Sequence, residues 1–296
     1  MTAEIAVLLT CHNRKALTLR CLGTLAGQEH FRAENVFLVD DGSADGTGDA
    51  VRQVVPGANV VQGNGNLFWN GGMRLAWESA KAADRVFDFY LWLNDDVELA
   101  PGALAQLVAD ADRMVPRGGA VIVAGATHEP GAATLTYGGH RCRDRKRPLR
   151  MQLVPPEGSP VPLDTVSGNI VLVSRAAEER LGNIIADFEH IYGDLDYGFR
   201  ARKSGVPMYL ASRMLGACGS NPTDRSSLDP SLSRWQRLQL LRRERRKVHH
   251  RDWMRFVRLH DGAPLRRLAH WAAPYLRIIA DRPNRHAHTV LGRADQ

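Results

Sequence analysis

The sequence predicts an α/β fold: a mostly parallel central sheet with helices on both faces, extended at its C-terminus by basic helices. Three observations carry this. Short apolar runs alternate with helical patterns through the first 125 residues, the pattern of parallel sheets. The polar motifs of that half all follow strand ends. Beyond residue 233 the chain turns basic, aromatic and helical in spacing.

The elements follow in order. "EIAVLLT" is a continuous apolar run, as suits a strand buried on both faces. Residues 15–26 place Leu17, Cys21, Leu22 and Leu25 at helical spacing. "NVFLVDD" is a second strand, "GSADGT" a turn, and residues 47–55 a helix stopped by Pro56. "ANVVQ" is a third strand, and "GNGNLFWNGG" a loop before a helix over 73–83. "FYLWLND" is the fourth strand, residues 101–114 a helix with Pro near its start, and "AVIVAGA" a fifth strand. Residues 127–165, rich in Gly, Pro and Arg, read as hairpins and loops. "SGNIVLVS" returns to strand and "GDLDYGFRARKSGV" to helix. The expected division is 1–232, split into a strand–helix half (1–125) and a second half (126–232), followed by an extension over 233–296.

Composition bounds the setting. With 44% hydrophobic and 24% charged residues, the 296-residue chain is ordinary for a globular protein. No apolar run reaches spanning length and the N-terminus has no basic leader. The four cysteines form no CxxC or disulfide-dense pattern, so they read as reduced thiols in the cytoplasm. The first hundred residues hold 8 basic and 13 acidic side chains, against 31 and 19 in the remainder. That asymmetry suggests an acidic reaction centre and a basic half facing an anionic partner.

Ligands of parallel sheets sit at the carboxyl ends of strands. "TCHNR", "DDGS", "GNGN" and "NDD" all fall there, which argues for one site. The sharpest question is why "LWLNDDVEL" drives a hydrophobic strand into adjacent carboxylates, which repel one another. A cation would relieve them, and oxygen ligands suit Mg²⁺ or Mn²⁺ held together with substrate phosphates. Each motif also has a plainer reading. Asp40 and Asp41 suit an Asp-Gly turn capping a helix. Asn13 and Arg14 can cap the next helix. Asp194 and Asp196 suit a first helical turn as well as a general base.

"VLLTCHNR", "FLVDDGSADGT", "LWLNDDVELAPGAL" and "YGDLDYGFRARKSG", in this order and spacing, resemble family 2 glycosyltransferases of the GT-A nucleotide-sugar-binding fold over residues 4 to about 212. "GNGNLFWNGGMRLAW" is similar to the bacterial rhamnosyltransferase-like branch. The resemblance implies an inverting transfer from a nucleoside-diphosphate sugar, UDP or dTDP linked, to a glycan or lipid-linked glycan. It places Asp41 at the nucleobase with Asp40 beside it. Asn94, Asp95 and Asp96 match the Asp-x-Asp element, with Asp96 as metal ligand. Asp194 matches the base, and Arg200 an Arg that commonly follows it. Asn13, Arg14, Asn66, Trp69, Asn70 and Gly71 join the nucleotide-sugar candidates; Gly168, Asn169 and Asp196 join Arg200 as acceptor-side or pocket candidates. The chain departs from the family pattern at Asn94 in place of Asp, at Gly193 where Glu is frequent, and near Cys218 where many relatives carry a metal-binding His.

A sugar-nucleotide pyrophosphorylase would want a glycine-rich loop after the first strand, which "TCHNRKAL" lacks. A non-catalytic sugar- or membrane-binding relative would leave Asp194 without a task. A nucleic-acid partner would account for the basic half and nothing else, so none is expected. For the tail two alternatives stand: docking on an anionic membrane at the inner face of the plasma membrane, or packing on the catalytic domain or a second subunit.

Overall fold

The structure is a computed structural model that describes residues 3–144, 147–220, 226–244, 248–261 and 263–280. β1 (Ile5–Cys11) leads to α1 (Lys15–Ala26), β2 (Val36–Asp40) to α2 (Thr47–Val54), and β3 (Asn59–Gln62) to α3 (Phe68–Ala82). β4 (Phe89–Leu93) passes through a short β5 (Glu98–Leu99) into α4 (Ala103–Met114). After β6 (Ile122–His128) the Gly/Pro/Arg segment holds short strands: β7 (Leu135–Tyr137), β8 (Gly139–Cys142), β9 (Met151–Leu153), β10 (Val161–Pro162) and β11 (Thr165–Val166). β12 (Ile170–Ser174), α5 (Arg175–Leu181), α6 (Gly193–Lys203) and β13 (Met208–Ala217) follow. The tail holds α7 (Arg234–Glu244), α8 (Val248–His260) and α9 (Pro264–Ile279).

The main sheet runs β10-β13-β6-β12-β4-β1-β2-β3. β3, β2, β1 and β4 are parallel, as are β6 and β13, while β12 lies antiparallel between β4 and β6. β11, β8 and β9 form a separate small antiparallel sheet. The apolar runs of β1 and β4 have the expected cause, since both faces are covered. Val7, Leu9, Leu91 and Leu93 pack with α1 and α4; Ala6, Leu8, Tyr90 and Trp92 pack with Met73 and Trp77 of α3. Each buried Val or Leu among them contributes about 1.5–3 kcal/mol.

Two results differ from the sequence expectation. α3 begins at Phe68, five residues early, so Trp69, Asn70 and Gly71 lie in its first turn rather than in a loop. The reason is remote in sequence: the Asp41 carboxylate accepts from Leu67 N and Phe68 N at 2.8 and 2.9 Å, satisfying first-turn donors from a neighbouring strand. Gly72 lets this helix press on β1, because a Cβ there would collide with the Thr10 side chain.

The tail also resolves into unlike parts. Phe256 of α8 is fully buried against Phe188, Tyr192, Leu195 and Phe199, so this helix packs back on α6. α9 runs against α7 and α8, yet Leu265, Leu268, Trp271, Leu276 and Ile279 are exposed. The basic run at 245–247 and the end of the extension, 281–296, lie outside the described residues.

Candidate active site

The chain leaves β4 at Leu93 and sets Asn94, Asp95 and Asp96 on the sheet's carboxyl edge. The cation that meets these acids is a side chain. Arg14, at the N-cap of α1, donates from Nη1 to Asp95 Oδ1 and from Nη2 to Asp96 Oδ2, each at 2.6 Å. The planar fork spans two consecutive carboxylates, and charge-assisted bonds of this length are the strong kind. Thr18 Oγ1 donates to Asp95 Oδ2 at 3.3 Å. Asp96 Oδ1 faces the Cys218 thiol at 3.5 Å. Burial, then the Asp96 charge, pushes that thiol well up, so it stays protonated at neutral pH.

The same edge carries the base candidate. Asn94 N donates to Asn169 O at 3.0 Å, and Asn169 Nδ2 approaches Cys218 Sγ at 3.5 Å. One residue away, Gly168 N donates to Asp194 Oδ2 at 2.8 Å, while Leu195 N donates to Asp194 Oδ1 at 2.7 Å. Trp69 Nε1 donates to Asn94 Oδ1 at 2.7 Å, and its ring lies so close to Gly168 that a Cβ there would clash. Arg14, Asn94, Asp95, Asp96, Trp69, Gly168, Asn169 and Asp194 therefore form one connected cluster. Burial holds the Asp194 carboxyl above its ordinary range, and the two backbone donors oppose this.

The other candidates frame this cluster. Asp40 is buried and accepts from Ser43 N and Gly48 N at 2.9 and 3.0 Å, the turn-and-cap arrangement. Asp41 accepts from Gly65 N at 2.8 Å besides its two bonds to the start of α3, so it holds the loop around Asn66, itself exposed. Asn13 ties the first loop to the second: its N donates to Ser43 Oγ and its Oδ1 accepts from Ala44 N. His12 adds a bond to Asp41 O. Asn70 is fully buried behind the site and donates to Ile185 O and Phe188 O. Gly71 packs on Leu67.

Asp196 and Arg200 point away from the cluster. Asp196 is 2% exposed and is bonded by Arg200 Nε at 2.9 Å and His260 Nε2 at 2.8 Å. Arg200 also donates to Leu181 O and Asn183 O. These two brace α6 rather than line the pocket, because helix geometry puts positions two and six after Asp194 on other faces. Gly193 is explained as well: a side chain there would run into Asn70 Oδ1. Sequence reasoning missed His260 and Asp252. Asp252 of α8 accepts from Glu189, His190 and Ile191 N at 3.1–3.3 Å and so fixes the approach to Asp194.

The fit of a divalent ion can be judged from these donors. Asp95 and Asp96, the natural ligands, each spend an oxygen on Arg14, and an ion at that place would lie beside a guanidinium. Among the described residues no group of three or more His, Cys, Asp or Glu side chains is placed to hold a metal. The donor set does not fit the expected ion.

A family model described as "Glycosyl transferase family 2" matches residues 6–182. No curated protein matches the chain. Among solved structures, TarS 1-349 of S. aureus is similar at a TM-score of 0.54 and 13% identity, covering 94% of this chain and 82% of that one. The mannosyltransferase PcManGT of Pyrobaculum calidifontis, in complex with GDP-Man and Mn²⁺, is similar at 0.50 and 16%, covering 97% and 78%. GalNAc-T7 with UDP, GalNAc and Mn²⁺ is similar at 0.55 and 12%, over 75% of this chain; the present chain spans 46% of that protein's length. At these identities the likeness to solved structures is one of fold.

Proposed function

This chain belongs to glycosyl transferase family 2, and from that premise we propose that it moves a sugar from a UDP- or dTDP-type donor to a hydroxyl of a glycan or lipid-linked glycan, with inversion. The carrying observation is the Asp194 carboxylate, fixed by Gly168 N and Leu195 N on the edge that also bears Arg14, Asp95 and Asp96. The acceptor oxygen attacks the anomeric carbon on the face opposite the diphosphate. As that C–O bond forms, its proton passes to Asp194, and the electron pair of the breaking C–O bond leaves on the diphosphate. A carboxylate with raised proton affinity is a stronger base for this step. The backbone donors aim it, which is the positioning part of the barrier.

Trp69 is assigned to the pocket wall, anchored to Asn94, with the Asp41-held loop 63–68 beside it as the nucleobase side. The lipid-linked acceptor class is supported by α9, which carries exposed apolar side chains and, on the same helix, Arg266, Arg267 and Arg277. No helix among the described residues is long and apolar enough to cross a membrane, so the proposed association is peripheral.

The test is a panel of nucleotide sugars scored by nucleoside diphosphate release, run with wild type and Asp194→Asn. We expect one UDP or dTDP sugar to be turned over. The variant should bind that donor normally and transfer at least about 10²-fold more slowly. Near-normal transfer by the variant would remove Asp194 from the mechanism. Donor binding without turnover by wild type would favour a non-catalytic relative.

A further inference from the structure

We propose that Arg14 is the resident cation of the diphosphate site, and that donor binding in this enzyme needs no divalent metal. The inference rests on the transferase reading above. Adjacent carboxylates, one buried and one half-buried, need a counter-charge. Here they have one in covalent attachment to the fold: Arg14 bonds Asp95 and Asp96 with separate nitrogens at 2.6 Å.

The arrangement is anchored on both sides. Arg14 ends the β1–α1 loop, and its carbonyl accepts from Thr18, whose hydroxyl also reaches Asp95. Asn94 and Asn169 tie the acidic turn to β12. A metal ion bound to Asp96 through Oδ2 would have to break the Arg14 fork, and one at Oδ1 would meet the protonated Cys218 thiol and sit beside a guanidinium whose side chain is three-quarters hidden. Displacing a half-buried, doubly bonded cation with another cation costs the first pair without removing its charge.

Arg14 also retains capacity for a ligand. A guanidinium has five N–H donors, and two are used on the carboxylates. Nε is buried, so the N–H groups left for a ligand are the second ones on Nη1 and Nη2; an open cleft of about 670 Å³, lined by Asn13, Lys15, Asp45 and the apolar Ala16, Leu17 and Leu19, borders Arg14. A diphosphate entering there meets Arg14, with Lys15 beside it at the start of α1. The guanidinium is always charged and matches phosphate oxygens in geometry. Its remaining N–H groups would donate to the oxygens of the leaving diphosphate, with Lys15 adding positive charge, where a metal would serve elsewhere.

Calorimetry of UDP and dTDP binding decides this without any turnover. Metal-stripped wild type is titrated in chelator and again in Mn²⁺, beside Arg14→Ala and Arg14→Lys. We expect wild-type affinity to agree within about threefold between the two buffers. Arg14→Ala should lose about tenfold or more in chelator, the scale of a lost charge-assisted bond. Arg14→Lys, which keeps the charge and loses the fork, should fall between. Wild-type binding that appears only with Mn²⁺ overturns the inference and leaves the transferase reading standing. Full affinity of Arg14→Ala in chelator also overturns it. Should Arg14→Ala fail to fold, the wild-type pair of titrations still decides. Binding of neither nucleotide in either buffer would remove the transferase reading and the inference with it.

Discussion

α8 and α9 are neighbours, both rich in arginine and aromatic residues and both amphipathic, yet α8 turns its apolar face inward and α9 leaves its own outside. In α8, Phe256 is fully buried and stacks on Tyr192 at 5.2 Å, Asp252 collects three backbone N–H groups, and His260 reaches Asp196. In α9 only Ile278 is buried, and Leu265 is 82% exposed. The Arg266–Asp261 ion pair and the hydrogen bond between His270 Nε2 and Asp261 tie it to the end of α8. The difference lies in a few polar residues. Asp252 and His260 find partners on α6 and the loop before it, and those bonds select the face that docks. Basic amphipathic character sets only that a face exists.

The largest effect that would break this contrast is on stability. Phe256→Ala empties a fully buried site between α8 and α6, and should cost about 3–5 kcal/mol in denaturant unfolding. Leu268→Ala on the exposed face of α9 should stay within about 0.5 kcal/mol of wild type. Equal losses from the two would mean that α9 is docked as firmly as α8.

A smaller effect sharpens the contrast at the reaction centre. Asp252→Ala strips partners from Glu189, His190 and Ile191 N and should cost about 2 kcal/mol. It should also move the pH profile. Burial raises the Asp194 carboxyl above its ordinary range, and as the proposed base it must be ionised to take the proton. Activity therefore climbs as pH rises through that raised value. Loosening residues 189–192 admits water beside Asp194, lowers its pKa towards 3.8, and shifts the acid limb of kcat/KM to lower pH. An unmoved limb in Asp252→Ala, with stability reduced, would confine α8 to a structural role. Leu268→Asp should leave the limb where it is.

What was legible in the sequence was local or periodic. The strand–helix alternation, the span of α1 and the gathering of polar motifs on one edge all follow from apolar spacing and turn residues. The start of α3 did not, because its cap is Asp41, 26 residues away just past the end of β2. The partner of Asp95 and Asp96 did not either. The acids demanded a cation, and a metal was the expected one, but Arg14 answers from 81 residues upstream. "TCHNR" looked like a ligand contact or a cap, and nothing in its spacing points to the turn after β4. Asp194 was singled out through the family motif and lies on the same edge as Asp95 and Asp96, whereas Asp196 and Arg200 in that motif brace α6. Gly193 shows why one departure exists: Asn70 fills the space a side chain would need.

The smallest expected effect concerns α9, and it is one that stability measurements would not register. Leu265, Leu268, Leu276 and Ile279 recur at helical spacing, with Trp271 at the margin, and all are exposed. Arg266, Arg267 and Arg277 lie on the same helix, the last in its final turn. An apolar stripe with a Trp and flanking arginines suits the headgroup boundary of an anionic bilayer, where each nearby Arg adds about 1 kcal/mol and each buried apolar square ångström about 25 cal/mol. These sums are modest, so binding should be reversible and sensitive to salt. Wild-type protein should co-sediment with vesicles containing phosphatidylserine at low ionic strength, less so at high salt, and little with neutral vesicles. Leu268→Asp combined with Leu276→Asp should abolish sedimentation while transfer to a water-soluble acceptor and the unfolding midpoint stay unchanged. A wild-type chain that ignores anionic vesicles at low salt would end the membrane reading. The stripe would then be a contact for a second copy, and the same double variant should turn a concentration-dependent dimer in sedimentation equilibrium into a monomer.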